Sequence, residues 1–236
     1  MERLALITGS SSGIGKAVAS KLLSNDFKVI GLARDHTKYS PDCSNYLPIT
    51  VDLSDVPTLE DIIPDILKKH GTIDVFISNA GFGNFKNLEN FAPSQIQKYF
   101  NVNLIAQIVI SHYVISQMKK AGKGDILIIG SEAALAGKRK STLYSAAKFG
   151  LRGFSQSLRD EVGASGVRVC LINPGLVRSP FFDQLSFEPG NHDNNAILPE
   201  DVAKIVLETL NTRRGTIIDE INLSPATTNI NAKTNN

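Results

Sequence analysis

The chain has 236 residues, 42% of them hydrophobic, and carries 25 Lys and Arg against 23 Asp and Glu for a net charge of +2. That length suits one domain with a sizeable core, and the interspersed, near-balanced charge offers no basic face for nucleic acid. The two cysteines, Cys43 and Cys170, lie in separate segments and exclude a disulfide framework or a metal cluster; apolar runs of strand length exclude a membrane span; and the early first strand leaves no room for a signal peptide, so a cytoplasmic location is expected.

Strand-like and helical runs alternate from end to end, with no internal repeat and no break in composition that would mark a linker. Strands are expected near 4–7, 28–32, 46–51, 73–78, 125–129, 167–172 and 216–221, and helices near 13–25, 56–70, 94–120, 142–164 and 199–210. Several strands are continuously apolar, as strands buried on both faces are. The pattern predicts an α/β fold, a doubly wound parallel sheet of the Rossmann type. Cys170, inside one of these strands, reads as a buried free thiol.

The first strand breaks on Thr8-Gly9-Ser10-Ser11-Ser12-Gly13-Ile14-Gly15 before the first helix. A strand that ends on glycines and restarts as a helix presents unpaired N–H groups to an anion. The spacing is Gly-x-x-x-Gly-x-Gly, which fits a phosphate-binding turn and a plain tight turn alike. Further along, Tyr144 and Lys148 are four residues apart and share a helix face. Ser131 ends the apolar run 126–130, at the strand end that faces the crevice of an open parallel sheet. Asn103 lies in the helical stretch 94–118. Singly, these are a strand-end serine, a buried asparagine and a surface Tyr and Lys.

Taken in order, the motifs resemble those of the short-chain dehydrogenase/reductase family over nearly the whole length. They are Thr8-Gly9-x-x-x-Gly13-Ile14-Gly15, Asp52 after the third strand, Asn79-Ala80-Gly81 after the fourth, Asn103 in Asn-Val-Asn, Ser131, the Tyr144/Lys148 pair, and Asn173-Pro174-Gly175 after the sixth. The resemblance implies seven strands in the order 3-2-1-4-5-6-7 and a catalytic tetrad of Asn103, Ser131, Tyr144 and Lys148. Tyr144 would be the acid and base, its phenol lowered by Lys148, which also bonds the nicotinamide ribose. Ser131 would donate to the carbonyl oxygen, and Asn103 would hold a water behind the lysine.

The same resemblance places a dinucleotide against Gly9, Ser11, Ser12, Gly13, Ile14 and Gly15. Asp52 would accept from the adenine amino group, or simply cap the next helix. Asn79, with Ala80 and Gly81, would brace the glycine-rich strand through Thr8. Pro174 and Gly175 would line the nicotinamide, the Val177 N–H would meet its carboxamide, and Ser179 would stand close by. Ser78 and Ser179 depart from the usual Asn and Thr. Asp35 lies 20 residues beyond Gly15 and is a candidate reader of the ribose, but acids that select NAD align in the family with Ala33. Arg34 is the residue suited to a 2′-phosphate, so NADP(H) is the expected cofactor, with NAD(H) possible.

Residues 1–223 then form a single catalytic domain. Segment 180–197 is its substrate loop, carrying Phe181, Phe182, Leu185 and Phe187 as a lid or as a surface loop with apolar anchors. The polar tail 224–236 is expected to be poorly ordered. Glu132 caps its loop or faces substrate, with the cap preferred; Lys138-Arg139-Lys140 is a solvated loop or a site of attraction for an anionic substrate. The partner implied is a small carbonyl or alcohol, with no nucleic acid and no membrane, and a homodimer or homotetramer paired through helices 94–120 and 142–164. The alternatives are a non-catalytic nucleotide sensor on the same fold and, among enzymes, a reductase of carrier-bound 3-ketoacyl groups or a 3-hydroxy-acid dehydrogenase.

Overall fold

The computed structural model describes residues 3–233. Seven parallel strands form one sheet: β1 (Arg3–Thr8), β2 (Phe27–Ala33), β3 (Tyr46–Thr50), β4 (Val75–Ser78), β5 (Gly124–Ile129), β6 (Val167–Pro174) and β8 (Glu220–Leu223), in the order β3-β2-β1-β4-β5-β6-β8. Alternation along each strand divides the core in two. Leu6, Ile30, Phe76, Ile126, Val169 and Leu171 point to one face, under α2 (Val56–His70), α4 (Ala106–Ala121) and α5 (Thr142–Val162). Their neighbours Ile7, Val29, Ile77, Leu127, Cys170 and Ile172 point to the other, under α1 (Gly13–Leu23) and α6 (Pro199–Asn211). With both faces covered, the strands can be apolar throughout, and every parallel crossover returns the chain so that loops 9–12, 79–92, 130–141 and 175–198 gather at the carboxyl edge of the sheet.

Three elements differ from expectation. The helix expected over 94–120 is two helices, α3 (Pro93–Phe100) and α4, joined by a π turn at Asn101–Ile105. The extra residue turns Asn103 inward, where its side chain bonds the Tyr99 carbonyl and the Phe82 N–H. The last strand of the sheet, β8, starts four residues later than expected, because Asn173 on β6 binds the Glu220 and Asn222 side chains and sets the register there.

The tail is the third. Instead of being poorly ordered from 224 onward, it carries strand β9 (Ile230–Ala232), antiparallel to β7 (Phe187–Pro189) within segment 180–197. The main chain of that loop has unpaired groups, and the polar tail satisfies them: Gly190 N donates to Asn229 O, Thr227 N to Asn194 O and Lys233 N to Ser186 O. Residues 234–236 of the expected disordered tail lie outside the described residues.

At the opposite, amino edge of the sheet, Asp125 is buried among three arginines. Arg3 lies 2.5 Å away, Arg168 2.6 Å and Arg214 2.8 Å. Arg168 also donates to the Leu210 and Thr212 carbonyls at the end of α6, and Arg214 to Gly166. One carboxylate therefore ties β1, β5, β6 and the α6 terminus together. Asp125→Ala leaves the Arg168 guanidinium, 10% exposed, buried without a counter-charge, and is expected to cost about 3–5 kcal/mol of folding stability. Urea unfolding reads the loss, and a change below about 1 kcal/mol would contradict this account.

Candidate active site

The glycine-rich turn sits between β1 and α1. Gly13 has φ +51°, and a side chain there would project toward Ser179, whose Cβ is 3.4 Å from the Cβ position. Gly15 tolerates no side chain at all, because it would meet the Gly9 carbonyl. Ser12 is the N-cap of α1 but its hydroxyl caps no N–H, and the first turn carries no acid. The helix start is thus open to an external anion, as a phosphate site requires.

This turn is braced from beneath. Thr8 Oγ1 accepts from Asn79 N at 2.9 Å and Ala80 N at 3.0 Å, while Asn79 Nδ2 donates to Thr8 O at 2.9 Å and Gly9 O at 3.3 Å. Gln107, which the motifs did not single out, joins the same network. Its Oε1 accepts from Thr8 Oγ1 at 3.0 Å and Ser78 Oγ at 2.9 Å, and its Nε2 donates to Ala80 O and Val102 O. Its signal in the sequence is a polar residue on the buried stripe of α4, alongside Ile110, Val114 and Met118. Ser78, the departure from the usual Asn, is therefore a fully bonded part of this brace.

At the end of β2, Arg34 and Asp35 are both exposed. Asp35 Oδ1 accepts from Thr37 N at 2.8 Å, and bonds from Thr37 hold the carboxyl below its usual range. The acid closes its own turn. Arg34 lies close enough to Asp52 to help lower that carboxyl, whose main partner is the Ser54 N–H at 2.9 Å. Asp52 does not cap α2; Asp55 occupies that position. Tyr46 and His36 were also missed. The Tyr46 hydroxyl joins Ser10 Oγ at 3.0 Å and His36 Nδ1 at 3.3 Å, so it links the glycine-rich turn to the segment after Arg34.

The four tetrad positions converge where β4, β5 and α5 meet. Lys148 is 4% exposed, and its Nζ donates to the Ile129 carbonyl at 2.9 Å, two residues before Ser131. Asn103 and Lys148 flank Gly81, whose Cβ position lies 2.8 Å from Asn103 Oδ1 and 3.9 Å from Lys148 Nζ. Lys148 Nζ is 5.8 Å from the Tyr144 ring centroid. Ser131 N donates to Asn173 Oδ1 at 3.2 Å, which aims the serine at the end of β5, where its side chain is near enough to the Tyr144 hydroxyl to favour the phenolate. Phe85 and Phe181 pack on Tyr144 with centroids at 5.2 and 5.8 Å. The segment bearing Phe181 and Phe187 is anchored at its far end by the bridge between Val177 and Ile197.

One expectation is corrected here. The net shift of the Tyr144 phenol is upward, not downward. Burial pushes that phenol up to about 12, the Ser131 hydrogen bond opposes the rise, and the Glu132 charge adds to it. Burial also lowers the Lys148 ammonium to about 8. Two groups of opposite charge type are each held near their neutral forms by the same desolvation.

The chain carries further signs of kinship. Residues 3–189 match the family model described as short chain dehydrogenase. The 3-oxoacyl-[acyl-carrier-protein] reductase of Buchnera aphidicola (Acyrthosiphon pisum subspecies) is 34% identical over 77% of this chain and 76% of that protein. The sepiapterin reductase of Chlorobaculum tepidum is 28% identical over 98% of this chain and 99% of its own length. Among solved structures, ElxO with NADP bound superposes with a TM-score of 0.83 at 26% identity, covering 95% of this chain and 97% of that one.

Since the Lys148 value lies below its ordinary 10.5, the unfolded chain binds more protons between about pH 8 and 10.5, and folding gains stability as pH rises through that window. At pH 7 the buried cation costs stability. Lys148→Met is expected to stabilise the fold at pH 7 by about 1–2 kcal/mol, after the lost bond to Ile129 is set against the removed charge. The difference from wild type should shrink by pH 10. Urea melts of both proteins at the two pH values check this, and a destabilised variant at pH 7 would refute it.

Proposed function

The chain belongs to the short-chain dehydrogenase family, and from that premise we propose that it interconverts a ketone or aldehyde and the alcohol with NADP(H), through Tyr144. As a family member it is an oxidoreductase acting on CH–OH groups, not a non-catalytic nucleotide sensor. The observation that carries the reading is the convergence of Ser131, Tyr144 and the buried Lys148 at the end of β5, with Lys148 Nζ bonded to Ile129 O and 5.8 Å from the Tyr144 ring centroid.

The nicotinamide, when bound, supplies or takes up the hydride. Gly9, Ser11, Ser12, Gly13, Ile14 and Gly15 would hold its pyrophosphate, and Asp52 its adenine. Asn79, Ala80 and Gly81 would line its middle, and Pro174, Gly175, Val177 and Ser179 its nicotinamide end. The protein's share of the chemistry is the proton. The Ser131 and Tyr144 hydroxyls would hold the carbonyl oxygen between them. Tyr144, kept protonated by burial, would pass its proton to that oxygen. The Lys148 ammonium would favour the phenolate left behind. Asn103 fixes the Phe82 N–H and the π turn next to that lysine, so its side chain supports a positioning role. Phe181 and Phe187, strapped down by the tail, would act as a lid that excludes water.

The exposed Arg34, with Asp35 turned onto Thr37, supports preference for NADPH over NADH. Exposed Ile105, at the π turn that leads into α4, and Phe149 on α5, at 38% and 44%, support a homodimer or homotetramer through these helices. Two free cysteines support a cytoplasmic location, and no helix among the described residues is long and apolar enough to cross a membrane. Reduction of carrier-bound 3-oxoacyl thioesters is the second reading, favoured by the relative at 34% identity.

The test is NADPH oxidation against a panel of carbonyl compounds that includes a 3-oxoacyl thioester, with NADH in parallel. Tyr144→Phe is expected to lower kcat by about 100-fold or more with nucleotide binding retained. Arg34→Ala is expected to raise KM for NADPH and leave NADH nearly unchanged. Near-normal turnover by the phenylalanine variant would refute the proton assignment, and better use of NADH by wild type would refute that of Arg34. Light scattering at micromolar concentration should give a multimer mass; a monomer mass contradicts the assembly.

A further inference from the structure

Glu132 follows Ser131 directly, and the preferred expectation for it was a loop cap. The structure gives that task to other residues. The turn Glu132–Ala134 is capped by Ser131, whose Oγ accepts from Ala133 N at 3.2 Å. The turn that follows is closed by Ser141, whose Oγ bonds both the N–H and the carbonyl of Lys138. Glu132 is left with one side-chain partner, Lys138 Nζ at 3.2 Å from Oε1, in a pair exposed on both sides, with relative side-chain accessibilities of 67% for the lysine and 38% for the glutamate. Such a pair holds little and yields readily to a competing donor.

The other carboxylate oxygen faces Gly175, at the end of β6. Glu132 Oε2 lies 3.2 Å from the place a Cβ on Gly175 would take, in the gap where β5, β6 and the Leu223–Pro225 segment meet. The Tyr144 hydroxyl feels its charge. A carbonyl oxygen held by Ser131 and Tyr144 would therefore have the Glu132 carboxylate within electrostatic reach, and the rings of Phe85 and Phe181 packed on Tyr144 beside it. We infer that Glu132 is a specificity-determining residue that selects carbonyl substrates bearing a hydroxyl or amino donor on the carbon next to the carbonyl, with an apolar ring or chain beyond. The donor displaces Lys138 and bonds the carboxylate, and a substrate with an anionic group at that carbon is repelled. This rests on the carbonyl reduction proposed above.

Acetophenone and 2-hydroxyacetophenone differ only in the donor, so we would compare their kcat/KM with NADPH in wild type, Glu132→Gln and Glu132→Ala. The intrinsic reactivities of the two ketones cancel when the ratio in a variant is divided by the ratio in wild type. A hydrogen bond to a charged group predicts that Glu132→Ala lowers the preference for the hydroxyketone about tenfold or more, through its KM, with Glu132→Gln in between. Benzoylformate, anionic at the same carbon, should gain on both ketones in Glu132→Gln. A preference unchanged within about twofold in Glu132→Ala overturns the inference. Should neither ketone be turned over, the carbonyl-reduction reading fails on these compounds, and Glu132 is judged by calorimetric binding of 2-hydroxyacetophenone to the NADP⁺-loaded protein. There, about tenfold weaker binding by Glu132→Ala upholds the inference, and equal binding overturns it.

Discussion

A lysine buried to 4% exposure must be solvated by the protein itself, and here the Ile129 carbonyl does it. That one bond fixes the rest of the site. The carbonyl belongs to the last residue of β5, so the lysine is pinned to the strand end from which Ser131 emerges. Lys148 is also one helical turn from Tyr144, so pinning its ammonium sets the height of the phenol above the sheet. Gly81 has no side chain to keep Asn103 and the ammonium apart. The desolvation that lowers the lysine and raises the tyrosine is the cost of this arrangement, and it leaves a phenol and a lysine of lowered pKa one helical turn apart.

The nucleotide half is organised by a different economy. Gln107, Thr8, Ser78 and Asn79 satisfy one another below the sheet edge, so the main chain above can present its N–H groups outward. The two halves meet at 79–82, which takes bonds from Thr8 and Gln107 on one side and from Asn103 on the other. On the proposed reading, a shift in either network would move the other, which would couple cofactor seating to the position of Tyr144.

The fold class and the sheet's buried strands were legible in the sequence, because continuous apolar runs ending in glycine, serine or asparagine mark parallel strands and their carboxyl ends; the strand order came from the family resemblance. The tetrad positions and the glycine-rich turn could be placed for the same reason: each lies within a few residues of a strand end or on one helix face. What depended on distant partners was not legible. The π turn exists because Asn103 finds the Phe82 N–H across a loop, and Gln107 looks like any helix residue until Thr8 and Ser78 are placed beside it. Strand β9 is three residues of a polar tail whose pairing is decided by β7, some forty positions earlier. The pKa expectation for Tyr144 failed for a related reason: sequence spacing brought the lysine near the phenol, but only the packing of Phe85 and Phe181 around it reveals how strongly burial outweighs that charge.

Transfer of hydride to a carbonyl carbon, with the proton taken from the protein, is the claim on which the whole reading stands. It is tested most directly with NADPH carrying deuterium at both C4 positions of the nicotinamide, by mass spectrometry of the alcohol formed from whichever carbonyl compound is consumed. The account predicts one deuterium per product molecule, bound to the carbinol carbon and retained in water. An alcohol formed without the label, or with it scattered by exchange, would contradict it.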